Sequence, residues 1–298
     1  MEKSIGNTPA PVNPVRLREV RKDNRVLHIV FRTVIWIALI VLAALTLIPF
    51  VWMISSSLKL DREVFAFPMR WIPETFHWEN YSLIWQKVPL LTYFKNTAFI
   101  AIVVTILQTL TSSFAAYAFA KLSFRGRDTL FLCYIGTIAV PWQAYMLPQF
   151  IMMRSMGLYD TLWAMVVLQA FSAFGVFLMR QFYRSIPTEL CEAARLDGLS
   201  EYGIWARIML PLSKAAIATL VIFTFVNTWN DYMGPMIYLT RDINKTVQVG
   251  LRRFIQENSS DYHLIMAASL CSLLPVSVVF LCLQRYFIEG IATSGLKG

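Results

Sequence analysis

Six charge-poor apolar runs constrain this 298-residue chain more than any other feature: Val34 to Ile54, Thr97 to Ala120, Thr129 to about Leu147, Thr161 to Met179, Ala215 to about Gly234 and Leu264 to Gln284. Each is long enough to cross ~30 Å of hydrocarbon at about 1.5 Å of helix rise per residue. Backbone in lipid must satisfy its own N–H and C=O groups, so runs of this length point to helices. With 57% of residues hydrophobic and 15% charged, a water-soluble fold is excluded. The expected fold is an all-α integral membrane protein, one six-span domain over 29–298. The first run is expected to stay as a helix, because its basic leader is too long and its apolar core too extended for a signal peptide.

Lysine and arginine placement sets the expected orientation. The leader carries seven, and the short Lys121 to Arg127 connection three more, so both belong in the cytoplasm. Six spans then place both termini and the loop carrying Glu192 inside, with 17 of the 27 Lys and Arg residues. The net charge of +9 fits topology and anionic lipid contact; no motif that reads nucleic acid accompanies it. Residues 1–28, with Pro9, Pro11 and Pro14, are expected to form a flexible basic arm. The external segment from Ser55 to Asn96 is aromatic and suits a cap at headgroup level.

Chemistry is sparse. Cys133, Cys191, Cys271 and Cys282 lack the spacing of a metal site or a disulfide frame and are expected as packing residues. His28, His77 and His263 are scattered, so no metal site is expected. The chain has no Gly-rich phosphate loop ending in Gly-Lys-Ser/Thr, no HExxH and no GxSxG, so it is expected to bind no cofactor and catalyse no reaction.

The connection at about 181–213 is polar and far longer than a turn between spans needs. Pro187 suits a helix start, Glu189 and Glu192 favour its positive end, and Gly198 can close it in the left-handed conformation. Ala193 and Ala194 offer a small-residue face flanked by Glu192, Arg195 and Asp197. A second helix is expected from about Glu201 to Leu210, broken by Pro211. By themselves these residues also fit an inert amphipathic anchor.

Further residues carry a resemblance. Glu192-Ala193-Ala194, Asp197-Gly198, Ile208 and Leu210-Pro211-Leu212 resemble the EAA loop of ABC-transporter permeases, whose coupling helix docks on the ATPase subunit. Asn227-Thr228-Trp229-Asn230-Asp231-Tyr232 with Pro235 resembles the fifth-span signature of carbohydrate permeases of the MalG type. Phe287-Ile288-Glu289-Gly290-Ile291 through Lys297-Gly298 resembles their C-terminal signature, and Ser112 to Ala120 with Gly126-Arg127 their second span. Ala215 stands where many relatives have proline, and Gly234 where a bulkier apolar residue is common. The resemblance implies an importer subunit of the bacterial cytoplasmic (inner) membrane. Its partners would be a second, homologous permease, two ATPase subunits that hold ATP and Mg, and an external solute-binding protein that delivers sugar. It implies ATPase-coupling roles for Glu192, Ala193, Ala194, Arg195, Asp197, Gly198, Ile208, Leu210 and Pro211.

Sugars need hydrogen-bonding groups and flat aromatic faces. Candidates for the path are Asn227, Trp229, Asn230, Asp231 and Tyr232 in span 5, Trp142, Gln143 and Tyr145 in span 3, and Gln169 with Ser172 in span 4. The same polar groups could instead hold helices together across the two-permease interface, and the sequence leaves both readings open. Thr105, Gln108, Thr109, Thr111, Ser112 and Ser113 are expected as helix-packing residues. A secondary transporter would need more ionisable residues in the spans than Asp231, and an enzyme acting on lipid-linked sugars a convergent acidic or histidine cluster. External Arg241, Lys245, Arg252 and Arg253 point toward an acidic oligosaccharide, but Asp242, Glu257 and Asp261 offset them.

Overall fold

The computed structural model describes residues 14–255 and 261–295, with side chains placed for 28–255 and 261–286. Among the described residues every regular element is a helix. The chain divides into two units, 1–55 and 56–298. The first holds most of one helix, Pro14–Ser57, whose stretch His28–Ser57 is long and apolar enough to cross a bilayer. This helix begins inside the stretch expected as a flexible arm: proline's fixed φ suits a first turn, and the Arg, Leu, Glu and Lys that follow favour helix. Residues 1–13 lie outside the described residues, as do the side chains of the C-terminal signature from Phe287.

The second unit is built around Leu90–Lys121, a 32-residue helix that packs along Ala173–Ser185 and Lys214–Trp229. Tyr262–Gly295 lies along Lys214–Trp229. Among the described residues, three helices are by length and composition able to cross a membrane, and up to six crossings result if each of three bent pairs is one.

The bends are the main departure from uninterrupted runs. The third run turns by 99° between Arg127–Ala139 and Trp142–Ser155. Pro141 causes it: the residue before a proline is pushed out of the helical region, and Val140 is extended at φ −82°, ψ 116°. The fourth run bends by 42° between Leu162–Gln169 and Ala173–Ser185. Ser172 starts the new segment, its Oγ accepting from the N–H of Gly175 at 3.0 Å as a helix cap. Lys214–Trp229 has 16 residues, roughly 24 Å of rise, and the chain continues through a break into Met233–Tyr238.

Residues 58–89 form an aromatic layer pinned by Asn80, whose amide donates to the carbonyls of Ser57 (3.0 Å) and Lys59 (2.9 Å). Phe67 is 98% exposed and Trp78 66%. Asp160, in the left-handed region at φ 58°, ties the 156–161 loop to the 239–245 segment. Its Oδ1 accepts from the backbone N–H of Thr240 (2.9 Å) and of Arg241 (3.0 Å), and its Oδ2 from Arg241 Nε (2.5 Å). The four cysteines are unpaired; Cys191 is buried, Cys271 half-buried, and Cys133 and Cys282 are exposed, so packing accounts for only two.

Candidate functional site: a cavity at three helix breaks

The interruptions of the third, fourth and fifth runs converge on a cavity of about 470 Å³. A broken helix frees backbone carbonyls, which at membrane depth need partners. Here the central helix supplies them: Gln108 Nε2 donates to the carbonyl of Gln169 (3.3 Å) and Thr111 Oγ1 to that of Ala170 (2.9 Å). Gln108 Oε1 in turn accepts from the hydroxyl of Thr224. Gln169 spans the opening, its Oε1 accepting from Thr228 Oγ1 at 3.0 Å and its Nε2 donating to Asp231 Oδ2 at 2.9 Å. Asp231 Oδ1 caps the next segment by accepting from the N–H of Gly234 at 3.1 Å. On the opposite wall Gln149 Oε1 accepts from Trp142 Nε1 (3.1 Å) and from the hydroxyl of Tyr238 (3.3 Å).

Of the sequence candidates, Trp142, Tyr145, Gln169, Ser172, Asn227 and Asp231 line this cavity. Trp229, Asn230, Tyr232 and Gln143 do not. Trp229 is buried at 2% exposure and its indole donates to the carbonyl of Ser272 at 3.0 Å, which makes it a packing residue. Asn230 is exposed; its amide donates to the carbonyl of Val226 (2.9 Å) and its Oδ1 accepts from Gln248 Nε2 (3.1 Å). Tyr232 accepts from Arg252 Nη1 (2.5 Å), and Gln143 is exposed elsewhere. The reason is periodicity: residues 227 and 228 and the turn at 231 face the opening, and one residue's rotation takes the next side chain away.

Sequence reasoning missed Gln149 and Tyr238 and assigned Gln108 to packing. Glutamines amid apolar residues, Gln108 and Gln169 within runs and Gln149 just past one, were the available signal. Ser113, by contrast, is a packing residue: its Oγ bonds the hydroxyl of Tyr183 (2.7 Å) and accepts from Trp205 Nε1 (2.9 Å). Gly234 also has a physical reason for lacking bulk. A Cβ there would lie 2.6 Å from Asp231 Oδ2 and 2.7 Å from Met165 Cε, displacing the carboxylate that caps the turn.

The polar connection holds a helix at Glu189–Leu196, two residues after Pro187, closed by Gly198 at φ 81° as expected. Ala194 turns inward and is buried with Cys191, so the two alanines do not share an outer face. Glu192, Ala193 and Asp197 are exposed, and so is Leu196 at 90%, an apolar residue that sequence reasoning overlooked. Arg195 is engaged by Glu201, 2.7 Å from Nε to Oε1. The second helix does not stop at Pro211 but runs over Glu201–Leu212 and bends by 82° into Lys214–Trp229. Proline has no N–H to give residue 207 and its ring crowds that carbonyl. A π-helical stretch, Trp205–Met209, absorbs the misfit, with the N–H of Leu210 donating to the carbonyl of Trp205. Ile208 and Leu210 are half-buried and Pro211 is exposed.

The family described as binding-protein-dependent transport system inner membrane component matches residues 21–293. The chain belongs to this family. Among relatives of this permease, the arabinooligosaccharides transport system permease protein AraQ of Halalkalibacterium halodurans is 34% identical over 227 residues, 76% of this chain and 81% of that protein. The melibiose/raffinose/stachyose import permease protein MelC of Bacillus subtilis is 33% identical over 262 residues, 87% of this chain and 94% of that one. A crystal structure of a bacterial ABC transporter involved in the import of the acidic polysaccharide alginate superposes with TM-score 0.74 at 25% identity, covering 94% of this chain and 100% of the matched one. The resemblance to carbohydrate permeases of ABC importers is borne out by these relatives.

Proposed function

We propose that this permease carries a sugar or oligosaccharide from an external solute-binding protein into the cytoplasm by ATP-driven alternating access. The observation that carries this reading is the cavity where broken helices bring amides, aromatic rings and a carboxylate together within the apolar runs. Polar groups at that depth stand against protein or water, and a chamber of this volume accommodates sugar rings.

In this reading the chain crosses the inner membrane six times with both termini in the cytoplasm, each bent pair making one crossing. Its exposed Glu189–Leu196 helix is the coupling helix, set on one of two ATPase subunits, which hold ATP and Mg. A second, homologous permease completes the path. Leu196 supplies an apolar contact and Glu192 and Asp197 the charges around it, while Ala194 and Arg195 hold the helix to its own chain. ATP-driven closure of the ATPases moves the helix, and the 82° bend at Ser213 passes that motion to the Lys214–Trp229 helix beside the cavity.

Co-purification tests the reading. The tagged chain should bring down a second permease and an ATPase, and the assembly in liposomes should take up a neutral or acidic saccharide only with ATP and a binding protein. Isolation of the chain alone, with ATP-independent solute flux, would contradict it.

A further inference from the structure

The similar proteins serve both neutral arabino-oligosaccharides and acidic alginate, so kinship leaves the charge of the cargo open. The cavity does not. We infer that the saccharide moved by this permease is electrically neutral. The inference rests on the cavity being part of the sugar path.

Among the described residues that line it there is no Lys, Arg or His. The polar wall consists of the amides of Gln108, Gln149, Gln169 and Asn227, the indole of Trp142, five hydroxyl side chains and one carboxylate, Asp231. A uronate leaving water needs a cation or a set of convergent N–H donors to replace its hydration. Three of the N–H donors are already committed, Gln169 Nε2 to Asp231 (2.9 Å), Trp142 Nε1 to Gln149 (3.1 Å) and Gln108 Nε2 to a backbone carbonyl (3.3 Å), and those left, the amides of Gln149 and Asn227, carry no charge. An arriving anion would meet the Asp231 carboxylate, and no cationic side chain among the lining residues offsets either charge. Hydroxyl groups face no such barrier, because each can donate to amide and carboxylate oxygens and accept from amide N–H, while aromatic faces take the C–H side of the ring.

Three of the four external cations are paired with carboxylates, two of them sharing one, and the fourth meets a neutral hydroxyl. Arg241 binds Asp160 at 2.5 Å, Arg253 and Lys245 bind Asp242, the latter at 3.4 Å, and Arg252 donates to the hydroxyl of Tyr232 at 2.5 Å. None of the four lines the cavity.

The test is uptake by cells carrying the complete importer, with and without this chain, of labelled neutral oligosaccharides and oligouronates matched in length. Chain-dependent uptake should favour a neutral sugar at least tenfold over every oligouronate. Chain-dependent uptake of an oligouronate at a comparable rate overturns the neutral assignment and leaves the sugar-permease reading standing. If deleting the chain alters uptake of no saccharide, the sugar-permease reading itself falls, and this assignment with it.

Discussion

Arg195 grips Glu201 of its own chain, with Nε 2.7 Å from Oε1 and Nη2 3.3 Å from Oε2. The hydroxyl of Tyr117, on the central helix, donates to the same carboxylate. An arginine that the sequence offers as a clamp for a partner therefore fixes the angle between two short helices and ties both to the membrane-embedded body.

Breaking that pair should affect coupling more than stability. Both side chains are about a third exposed, 34% for Arg195 and 40% for Glu201, so screening limits the ion pair to about 0.5 kcal/mol. Arg195→Ala should leave the thermal midpoint within about 2 °C of wild type while lowering sugar uptake per ATP hydrolysed several-fold. Parallel uptake and ATPase assays in liposomes measure this; an unchanged ratio would remove Arg195 from the transmission path.

Gly198→Pro should uncouple the importer outright. Proline holds φ near −65°, whereas Gly198 sits at φ 81°, so the closing turn after Leu196 cannot form. Glu192→Lys, which reverses an exposed charge without touching the backbone, should weaken ATPase binding with little change in folding. Pull-down of the ATPase by each variant distinguishes the two effects, and full retention by both would show that this helix does not dock.

Asp160 makes the junction of the 156–161 and 239–245 segments sensitive to acid. Burial by itself would raise its pKa, but the N–H groups of Arg241 and Thr240, the Arg241 guanidinium and the Asn244 amide outweigh it and bring the value from 3.8 to about 2. A depressed value means that the stabilisation, about 2 kcal/mol at neutral pH, is complete above pH ~4 and lost as pH falls through ~2. Asp160→Asn should lower the unfolding midpoint at pH 7, and the gap to wild type should shrink between pH 4 and 2.5. A gap independent of pH would mean that the carboxylate's charge plays no part.

How much was legible depended on what each residue's neighbours in sequence could reveal. Length and apolarity located the long apolar helices and bent helix pairs, and Gly198 announced a left-handed turn because only its conformational freedom explains a glycine there. Pro141 warned of a break that was passed over in favour of an uninterrupted run. The break at Ala170–Ser172 carried no such warning, because what sustains it is tertiary: Gln108 and Thr111 lie about 60 residues away in sequence and satisfy the freed carbonyls. Facing was the weakest inference. Asn227 and Asp231 were separated from Trp229 and Asn230 only by the rotation of a helix and the turn that ends it.

That separation predicts opposite consequences for adjacent residues. Trp229→Ala empties a buried site against Phe225 and Phe94 and removes the indole's hydrogen bond to Ser272, at a cost of about 3 kcal/mol. Thermal unfolding should show the loss directly. Asn230→Ala removes an exposed amide and should leave both stability and uptake within about twofold of wild type; a strong transport defect there would place the path along a different face of the helix.

The most direct test of the path is Asn227→Ala. Asn227 lines the cavity, is exposed, and its side-chain amide makes no hydrogen bond with the described residues, so its removal disturbs no packing. Losing one hydrogen bond to sugar should cost about 1.4 kcal/mol, a roughly tenfold fall in sugar uptake at low substrate concentration. The reconstituted assembly should still purify intact and hydrolyse ATP at its basal rate. Uptake equal to wild type, with the assembly intact, would contradict the assignment of this cavity to the sugar path.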